Sequence, residues 1–243
     1  MRTIAIIPAR YASTRLPGKP LLDRTGKPLI QHVVESAREA SSLDDVVVAT
    51  DDDRIVSAVE GFGGRAVMTS ASCRTGTDRL AEAADVLDLA GDDVVVNIQG
   101  DEPDIPAACI DQLVLLLREK NTEMATLATP LADEQVPDPN RVKVVCDLTG
   151  RAMYFSRSAI PYDRDGAGSS ALLHLGAYAY GCAFLKTYAR LPSTPAEQAE
   201  KLEQLRALEH GYSIAVAVVD YDGAGIDTPE DYERFVRRVG EAR

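Results

Sequence analysis

The chain has 243 residues, enough to bury one sizeable α/β core, and its 45% hydrophobic and 26% charged residues are ordinary for a globular protein. A formal net charge of −12 excludes a nucleic-acid or anionic-membrane surface as its main binding face, because the summed field repels polyphosphates. The four cysteines lie far apart without a C-x-x-C pair, so we expect free, buried thiols. No leader-like or membrane-length apolar run is present, and we expect a cytoplasmic protein.

Short β-branched runs alternate with helical periodicity through the first half of the chain, which is typical of a mostly parallel sheet flanked by helices. The predicted strands of this half are Thr3–Pro8, Asp45–Thr50, Arg65–Met68 and Asp93–Ile98. The predicted helices are Leu29–Ala40, Asp52–Gly61, Thr77–Leu87 and Ala107–Lys120.

The second half continues with further strands and two predicted helices. Its predicted strands are Met124–Thr129, Val142–Asp147, Ala152–Ser156, His174–Tyr180 and Ser213–Val219. The charged run "PAEQAEKLEQLRALEHG" predicts one long helix from Pro195, ending at the stop signal Gly211. A last helix begins at Thr228, where "DTPED" supplies a cap and first-turn acids.

The stretch "IIPARYASTRLPGKPL" places Arg10, Arg15 and Lys19 on a loop directly after the first strand. Ligands of parallel α/β sheets bind outside the carboxyl ends of strands, so this loop is placed to hold an anion. It matches neither the kinase-type phosphate loop nor the dinucleotide fingerprint. Guanidinium forks, one ammonium and small residues suit a polyphosphate, although solvated surface cations are the alternative.

Carboxylates follow the most apolar strand, in "VVVNIQGDEPDIP". Asp101 is placed as an oxygen ligand for Mg²⁺, while Glu102 reads as a surface acid. A second acid, Asp227, follows a Gly-rich turn at a helix start, where a plain helix cap is the alternative. Two distant acids and a basic loop favour metal-assisted phosphoryl or nucleotidyl transfer.

Other polar residues are weaker candidates on pattern alone. Arg74, Thr75 and Gly76 stand at a helix entrance, where backbone N–H groups can meet a nucleotide or simply be capped. His174 and Tyr178 share one face of a strand. Glu203 and Gln204 fall within the long charged helix, and composition alone predicts a solvated face there.

A series of motifs in one order carries a family resemblance over essentially the whole chain. They are "IIPARYASTRLPGKPL", "ATDDDRI", "GTDRLAEA", "NIQGDEP", "MATLATP", "YFSRSAIPYDRD", "HLGAYAY", "KLEQLRALEHG" and "DTPED". This order resembles the 3-deoxy-manno-octulosonate (Kdo) cytidylyltransferases. The resemblance implies a Rossmann-like nucleotide-diphospho-sugar transferase fold in one domain over residues 1–243, with a sugar-binding and dimerisation subregion at about 150–210.

The resemblance also implies a reaction and a set of site residues. CTP and Kdo would give CMP-Kdo and diphosphate for lipopolysaccharide synthesis, in a homodimer that uses Mg²⁺. The implied nucleotide-binding residues are Ala9, Arg10, Ser13, Lys19, Arg74, Thr75, Gly76 and Gln99. The implied sugar-binding residues are Gln99, Arg157, His174, Tyr178, Glu203 and Gln204. Asp101 and Asp227 would bind the metal and, with Arg10 and Lys19, act in catalysis.

Three alternatives stay open at this point. Leu173 and Tyr162 depart from the residues common in the family, and both lie in the sugar-facing half. A cytidylyltransferase for another acid sugar, such as 8-amino-8-deoxy-Kdo, therefore shares the same chemistry. The other two alternatives are a metal-dependent glycosyltransferase that consumes a CMP-sugar, and a nucleotide sensor without catalysis.

Overall fold

A nine-stranded sheet organises the described part of the chain, which in this computed structural model comprises residues 1–12, 16–166, 171–221 and 225–241. The strands are β1 (Thr3–Ala9), β2 (Asp45–Thr50), β3 (Arg65–Met68), β4 (Val94–Asn97), β5 (Met124–Pro130), β6 (Lys143–Cys146), β7 (Ala152–Ser156), β8 (Leu172–Gly181) and β9 (Ile214–Val218). The helices are α1 (Leu29–Arg38), α2 (Asp53–Gly61), α3 (Gly76–Val86), α4 (Ala107–Lys120), α5 (Cys182–Tyr188), α6 (Pro195–Glu200), α7 (Leu205–Glu209) and α8 (Pro229–Glu241). Single 3₁₀ turns are Lys19–Leu21 and Asp133–Gln135.

The strand order along the main sheet is β3-β2-β1-β4-β8-β5-β9, with β6 pairing to β7 and β8. Strand β8 runs antiparallel to both of its neighbours in this order, while β1 pairs in parallel with β2 and β4. The predicted mostly parallel sheet flanked by helices is confirmed. The chain leaves β1 toward β2 and later returns to its other side as β4, so a topological switch point lies between the carboxyl ends of β1 and β4.

Two apolar layers cover the faces of this sheet. Alternation along β4 sends Val94 and Val96 into the layer with α1 and α4, and Val95 into the layer with α3 and α5. Each fully buried valine of this kind stabilises the fold by roughly 1.5–3 kcal/mol. Asn97 follows Val95 on the second face by the same alternation, although it is polar.

The single long helix predicted from Pro195 to Gly211 is wrong. Helix α6 ends at Glu200, the next residue Lys201 is left-handed with φ 54°, and α7 begins only at Leu205. The break buries Leu202 and Leu205, and Tyr188 Oη donates a 2.6 Å hydrogen bond to the carbonyl of Glu203. Apolar burial offsets the cost of a left-handed residue, about 1–2 kcal/mol.

The remaining elements agree with the sequence in type, with ends that differ by a few residues. Helix α5 follows β8 directly and was not predicted. All four cysteines are free thiols, and three of them are buried while Cys146 is half-buried. Among the described residues, no helix combines the length and the apolar character needed to cross a membrane.

Candidate active site

A cavity of about 360 Å³ opens at the switch point between β1 and β4, and we call it the switch-point cavity. Its lining comprises Pro8, Ala9, Arg10, Ala12, Lys19, Pro20, Gly76, Gln99, Gly100 and Asp101. A Cβ on Gly100 would stand 3.1 Å from the carbonyl oxygen of Pro8, so the turn after β4 passes very close to the end of β1. Residues from three distant stretches of chain therefore meet in one cavity, as predicted for the basic loop and the first acid.

Arg10 connects the loop after β1 to the start of α3. Its Nη2 donates to the carbonyls of Cys73, at 2.5 Å, and Thr75, at 3.3 Å. Thr75 caps α3 and forms a capping box with Asp78, which fixes the first turn of that helix. Gly76 at this helix start lines the cavity, so the free backbone N–H groups and the guanidinium lie on the same side.

Lys19 joins the two acids that the sequence singled out. Its Nζ lies 2.7 Å from Asp101 Oδ2 and 3.3 Å from Asp227 Oδ1, and it also donates to the Ile226 carbonyl at 2.9 Å. The preceding Gly18 has φ 68°, a left-handed conformation that lets the loop turn back toward the acids.

The carboxylates of Asp101 and Asp227 fit an Mg²⁺ ion that also takes oxygens from a ligand. Both converge on one Lys19 Nζ, and the Ile226 N–H donates to the Asp101 carbonyl at 2.9 Å, which holds the two segments together. Mg²⁺ is usually bound by one or two carboxylates, with water and substrate phosphate completing its shell. Among the described residues no group of three or more His, Cys, Asp or Glu side chains forms a metal site, so phosphate oxygens would supply further ligands.

Glu102 is buried, although the sequence placed it on the surface. Only 8% of its surface is exposed, and its Oε2 has no hydrogen-bond partner among the described residues. Burial, and then the charge of Asp101, raise the pKa of Glu102 to about 8. The side chain of Glu102, next to Asp101 in the chain, is therefore largely a neutral carboxyl at pH 7.

A second cavity of about 280 Å³, the tyrosine cavity, adjoins the first at Gly76 and Gln99. It is lined by Gly76, Thr77, Asn97, Gln99, Gly176, Tyr178, Tyr180, Tyr188, Glu203 and Gln204. Because the break between α6 and α7 places Glu203 and Gln204 in this wall, their predicted solvated face is wrong. Burial raises the pKa of Tyr178, so its phenol stays a protonated hydrogen-bonding group.

Gln99 stands between the cavities. Its Nε2 donates a 2.9 Å hydrogen bond to the carbonyl of Gly176 in β8, which fixes the amide at the junction. The pKa of Glu203 in the tyrosine cavity is raised, because burial raises it by more than the nearby Arg206 lowers it. The cavity wall thus offers amide, phenol and carboxyl groups, the hydrogen-bonding set that a polyhydroxylated ligand needs.

A third cavity of about 490 Å³, the acidic cavity, lies on the other side of Gly176. It is lined by Asp101, Glu102, Asp138, Asn140, Arg141, Val142, Leu173, His174, Leu175, Gly176, Gly225, Asp227, Asp231 and Arg234. The ring of His174 packs 4.9 Å from that of Phe155 and 5.4 Å from that of Tyr178, and its Nε2 lies 3.1 Å from Thr126 Oγ1. Burial lowers the pKa of His174 to about 3, so the imidazole is neutral at pH 7.

Three of the implied site residues that the structure describes, Arg157, Arg74 and Thr75, line none of these cavities. Arg157 donates to the carbonyls of Glu200 and Pro139 and lines none of the three. The side chain of Arg74 is exposed, and Ser13 lies outside the described residues. Their binding roles stay predictions.

The sequence reasoning missed Asn97, Arg141 and Gly176, which all line a cavity. The available signal for Asn97 was a polar residue at a position that alternation assigns to the core. Arg141 had no comparable signal, because an isolated arginine in a turn is ordinary surface composition.

Comparison with known proteins agrees with this arrangement. The cytidylyltransferase family model matches residues 4–214. The 3-deoxy-manno-octulosonate cytidylyltransferase of Syntrophobacter fumaroxidans is 55% identical over 240 residues, covering 97% of this chain and 96% of the relative. The 8-amino-3,8-dideoxy-manno-octulosonate cytidylyltransferase of Shewanella halifaxensis is 51% identical over 246 residues, covering 100% and 98%.

Solved structures show the same similarity in three dimensions. A CMP:2-keto-3-deoxy-manno-octonic acid synthetase in complex with CTP superposes with a TM-score of 0.95 at 41% identity, over 100% of both chains. A cytidylyltransferase from Leptospira borgpetersenii shares the fold, with a TM-score of 0.67 at 20% identity over 99% of this chain and 87% of its own. With a family model over most of its length and relatives above 50% identity, this chain belongs to the cytidylyltransferase family, within its 3-deoxy-manno-octulosonate cytidylyltransferase group.

Proposed function

We propose that this protein transfers CMP from CTP to 3-deoxy-manno-octulosonate, giving CMP-Kdo and diphosphate. The observation that carries the proposal is the convergence of Lys19, Asp101 and Asp227 beside the switch-point cavity, which adjoins the tyrosine cavity at Gly76 and Gln99. One cavity has cations and helix N–H groups for a nucleotide, and the other has amide, phenol and carboxyl groups for a sugar. The similarity to a synthetase solved with CTP supports the nucleotide half.

The nucleotide is held in the switch-point cavity by charge and by backbone groups. Arg10, fixed against the start of α3, presents a guanidinium fork to phosphate oxygens. Lys19 adds a compact positive charge near the departing diphosphate, where negative charge grows in the transition state. The loop supplies these groups already oriented, so catalysis depends on positioning and charge compensation.

The sugar is activated by direct attack on the nucleotide. The 2-hydroxyl oxygen forms a bond to the α-phosphorus, the bond from that phosphorus to the β-phosphate oxygen breaks, and the hydroxyl proton passes to solvent. Asp101 and Asp227 would hold Mg²⁺, which would supply neutralisation of the phosphate charge. Gln99, fixed by Gly176, orients the sugar beside the nucleotide.

The setting and the assembly are implied by the family resemblance of the sequence. We propose a homodimer acting in lipopolysaccharide synthesis, and the cytoplasmic location stays a prediction. Exposed apolar side chains support the dimer: Leu148 is fully exposed in the turn before β7, Met153 is 63% exposed, and Tyr154 is 39% exposed. Such clustering on one hairpin is typical of a protein–protein contact.

An amino sugar is the second candidate substrate. Relatives at 50–51% identity, from Shewanella halifaxensis and Shewanella pealeana, are 8-amino-3,8-dideoxy-manno-octulosonate cytidylyltransferases. The tyrosine cavity contains Glu203, a carboxyl that can accept a hydrogen bond from a hydroxyl or an ammonium group.

A diphosphate-release assay over CTP, UTP, ATP and GTP, each with Kdo and with the 8-amino sugar, tests the proposal. Diphosphate release with CTP and Kdo, dependent on Mg²⁺, supports it, and faster turnover of the amino sugar favours the second candidate. Consumption of a CMP-sugar without diphosphate release from CTP would instead indicate a glycosyltransferase. CTP binding with no turnover of any acid sugar would indicate a sensor.

A further inference from the structure

Asn97 is an unsatisfied polar residue at the base of the tyrosine cavity. Only 5% of it is exposed, and its Oδ1 has no hydrogen-bond partner among the described residues, while its amide hydrogen-bonds Tyr180. It pairs directly with Tyr178 across the β4–β8 ladder. Because an orphaned buried acceptor costs about 1–3 kcal/mol, an apolar residue would stabilise this strand better unless a ligand completes the hydrogen bond.

The tyrosine cavity suits the neutral part of an acid sugar. Its lining contains amide, phenol, hydroxyl and carboxyl groups, with no Lys or Arg among them. A substrate carboxylate placed there would face Glu203, which pairs with Arg206 at 3.4 Å, and would find no cation of its own in the cavity lining. The distal carbons, which carry only hydroxyl groups or an amine, find acceptors there.

Arg141 is a cation without a partner in the neighbouring acidic cavity. Its half-buried guanidinium forms no hydrogen bond or ion pair with the described residues, whereas Arg234 in the same cavity pairs with Asp231. The carboxylates of Asp101 and Asp227 line this cavity too. An anion entering it therefore meets one cation that is not already neutralised.

The chemistry of the sugar determines which end of the molecule lies beside the nucleotide. Under the proposed function, the attacking oxygen is bonded to C2, and the carboxylate carbon C1 is bonded to the same C2. The carboxylate must therefore lie beside the reacting phosphate, near the Asp101–Asp227 pair, and the chain of hydroxylated carbons points away from it.

We propose that the sugar acid lies across Gly176, with its carboxylate bound by Arg141 in the acidic cavity and a distal hydroxyl bound by Asn97 in the tyrosine cavity. This inference rests on the proposed function. It makes both residues determinants of specificity. Arg141 selects sugars that carry a carboxylate, and Asn97 selects sugars that carry a hydroxyl group at the matching distal carbon.

The binding of a distal hydroxyl by Asn97 is tested with Asn97→Val, which matches the size of the neighbouring core valines. We expect the KM for the sugar to rise about 10- to 100-fold, with CTP affinity unchanged and the thermal midpoint equal or higher. Singly deoxygenated sugars provide the second readout: the analogue lacking the bound hydroxyl should be impaired with the unsubstituted enzyme but not further impaired with the variant. An unchanged KM, or a KM change that is equal for every analogue, overturns the Asn97 assignment.

The binding of the substrate carboxylate is tested with Arg141→Gln, and the control is Arg38→Gln, at an exposed arginine that lines none of the three cavities. We expect a rise of about 10- to 100-fold in the KM for Kdo with Arg141→Gln and less than about 2-fold with the control. With the neutral carboxamide of Kdo the Arg141 effect should vanish. Equal effects of the two variants, or an Arg141 effect that persists with the carboxamide, overturn the Arg141 assignment. An unsubstituted enzyme that turns over no acid sugar refutes the proposed function itself.

Discussion

Lys19 Nζ lies 2.7 Å from Asp101 Oδ2 and also contacts Asp227, so one side chain links the loop after β1, the turn after β4 and the start of α8. The relationship matters because these segments are far apart in the chain and meet only at the switch point of the sheet. It places the basic loop against the two carboxylates that suit a metal ion.

Replacing either carboxylate should abolish most activity. We expect Asp101→Asn and Asp227→Asn to lower kcat/KM by a factor of about a thousand at saturating Mg²⁺, since an amide keeps the size but loses the anionic ligand. Asp133→Asn, at an exposed acid that lines none of the three cavities, is the control. Near-normal turnover of Asp101→Asn would remove that residue from the metal site.

The guanidinium of Arg10 should be irreplaceable by an ammonium group. We expect Arg10→Ala to weaken CTP binding by roughly tenfold or more in calorimetry, and Arg10→Lys to rescue it poorly, because a point charge cannot replace a fork. Arg38→Ala is the matched control, since Arg38 also donates to a backbone carbonyl but lies away from the cavities. If all three variants bind CTP equally, Arg10 has only a structural role.

The half-buried His174 should make stability depend on pH. Burial lowers its pKa to about 3 in the folded protein, against about 6.5 in the unfolded chain, so the unfolded state binds more protons between these values. Stability is therefore lost as the pH falls from about 6.5 toward about 3.

Urea unfolding of the unsubstituted protein and of His174→Gln over this range measures the effect. The variant should lose less stability on acidification than the unsubstituted protein. Parallel curves for the two proteins would show that His174 does not stay neutral in the fold.

The exposed hairpin should control assembly. We expect Met153→Glu to shift the protein from dimer to monomer in sedimentation velocity, because a charge would be buried against apolar partner groups. Met68→Glu, an equally apolar but separate exposed site at the end of β3, should leave the dimer intact. A monomeric unsubstituted protein would refute the dimer itself.

Local patterns in the sequence were sufficient for the sheet and for the switch-point cavity. Strand runs such as "DVVVNI" and the polar residues directly after them predict both a buried strand and a ligand at its carboxyl end. The break in the helix predicted from Pro195 could not be recognised from the sequence. Lys201 carries no local signal for a left-handed turn, and only the packing of Leu202 and Leu205 against the core compensates its cost.

The sugar-facing side depended on tertiary structure in the same way. Glu203 and Gln204 reach the tyrosine cavity only because the helix breaks before them. Conversely, Arg157 donates hydrogen bonds to the carbonyls of Glu200 and Pro139. Glu200 lies more than forty residues from Arg157 in the chain, and no spacing rule predicts such a contact.

The most direct test of the account follows both ends of the nucleotide at once. Purified protein is incubated with Mg²⁺, Kdo and CTP labelled at either the α- or the γ-phosphorus, and the products are separated. We predict that the α label enters CMP-Kdo and the γ label enters diphosphate at equal rates, with neither reaction occurring without Kdo. Gamma label on the sugar or in orthophosphate, or α label that stays in CTP, would contradict it.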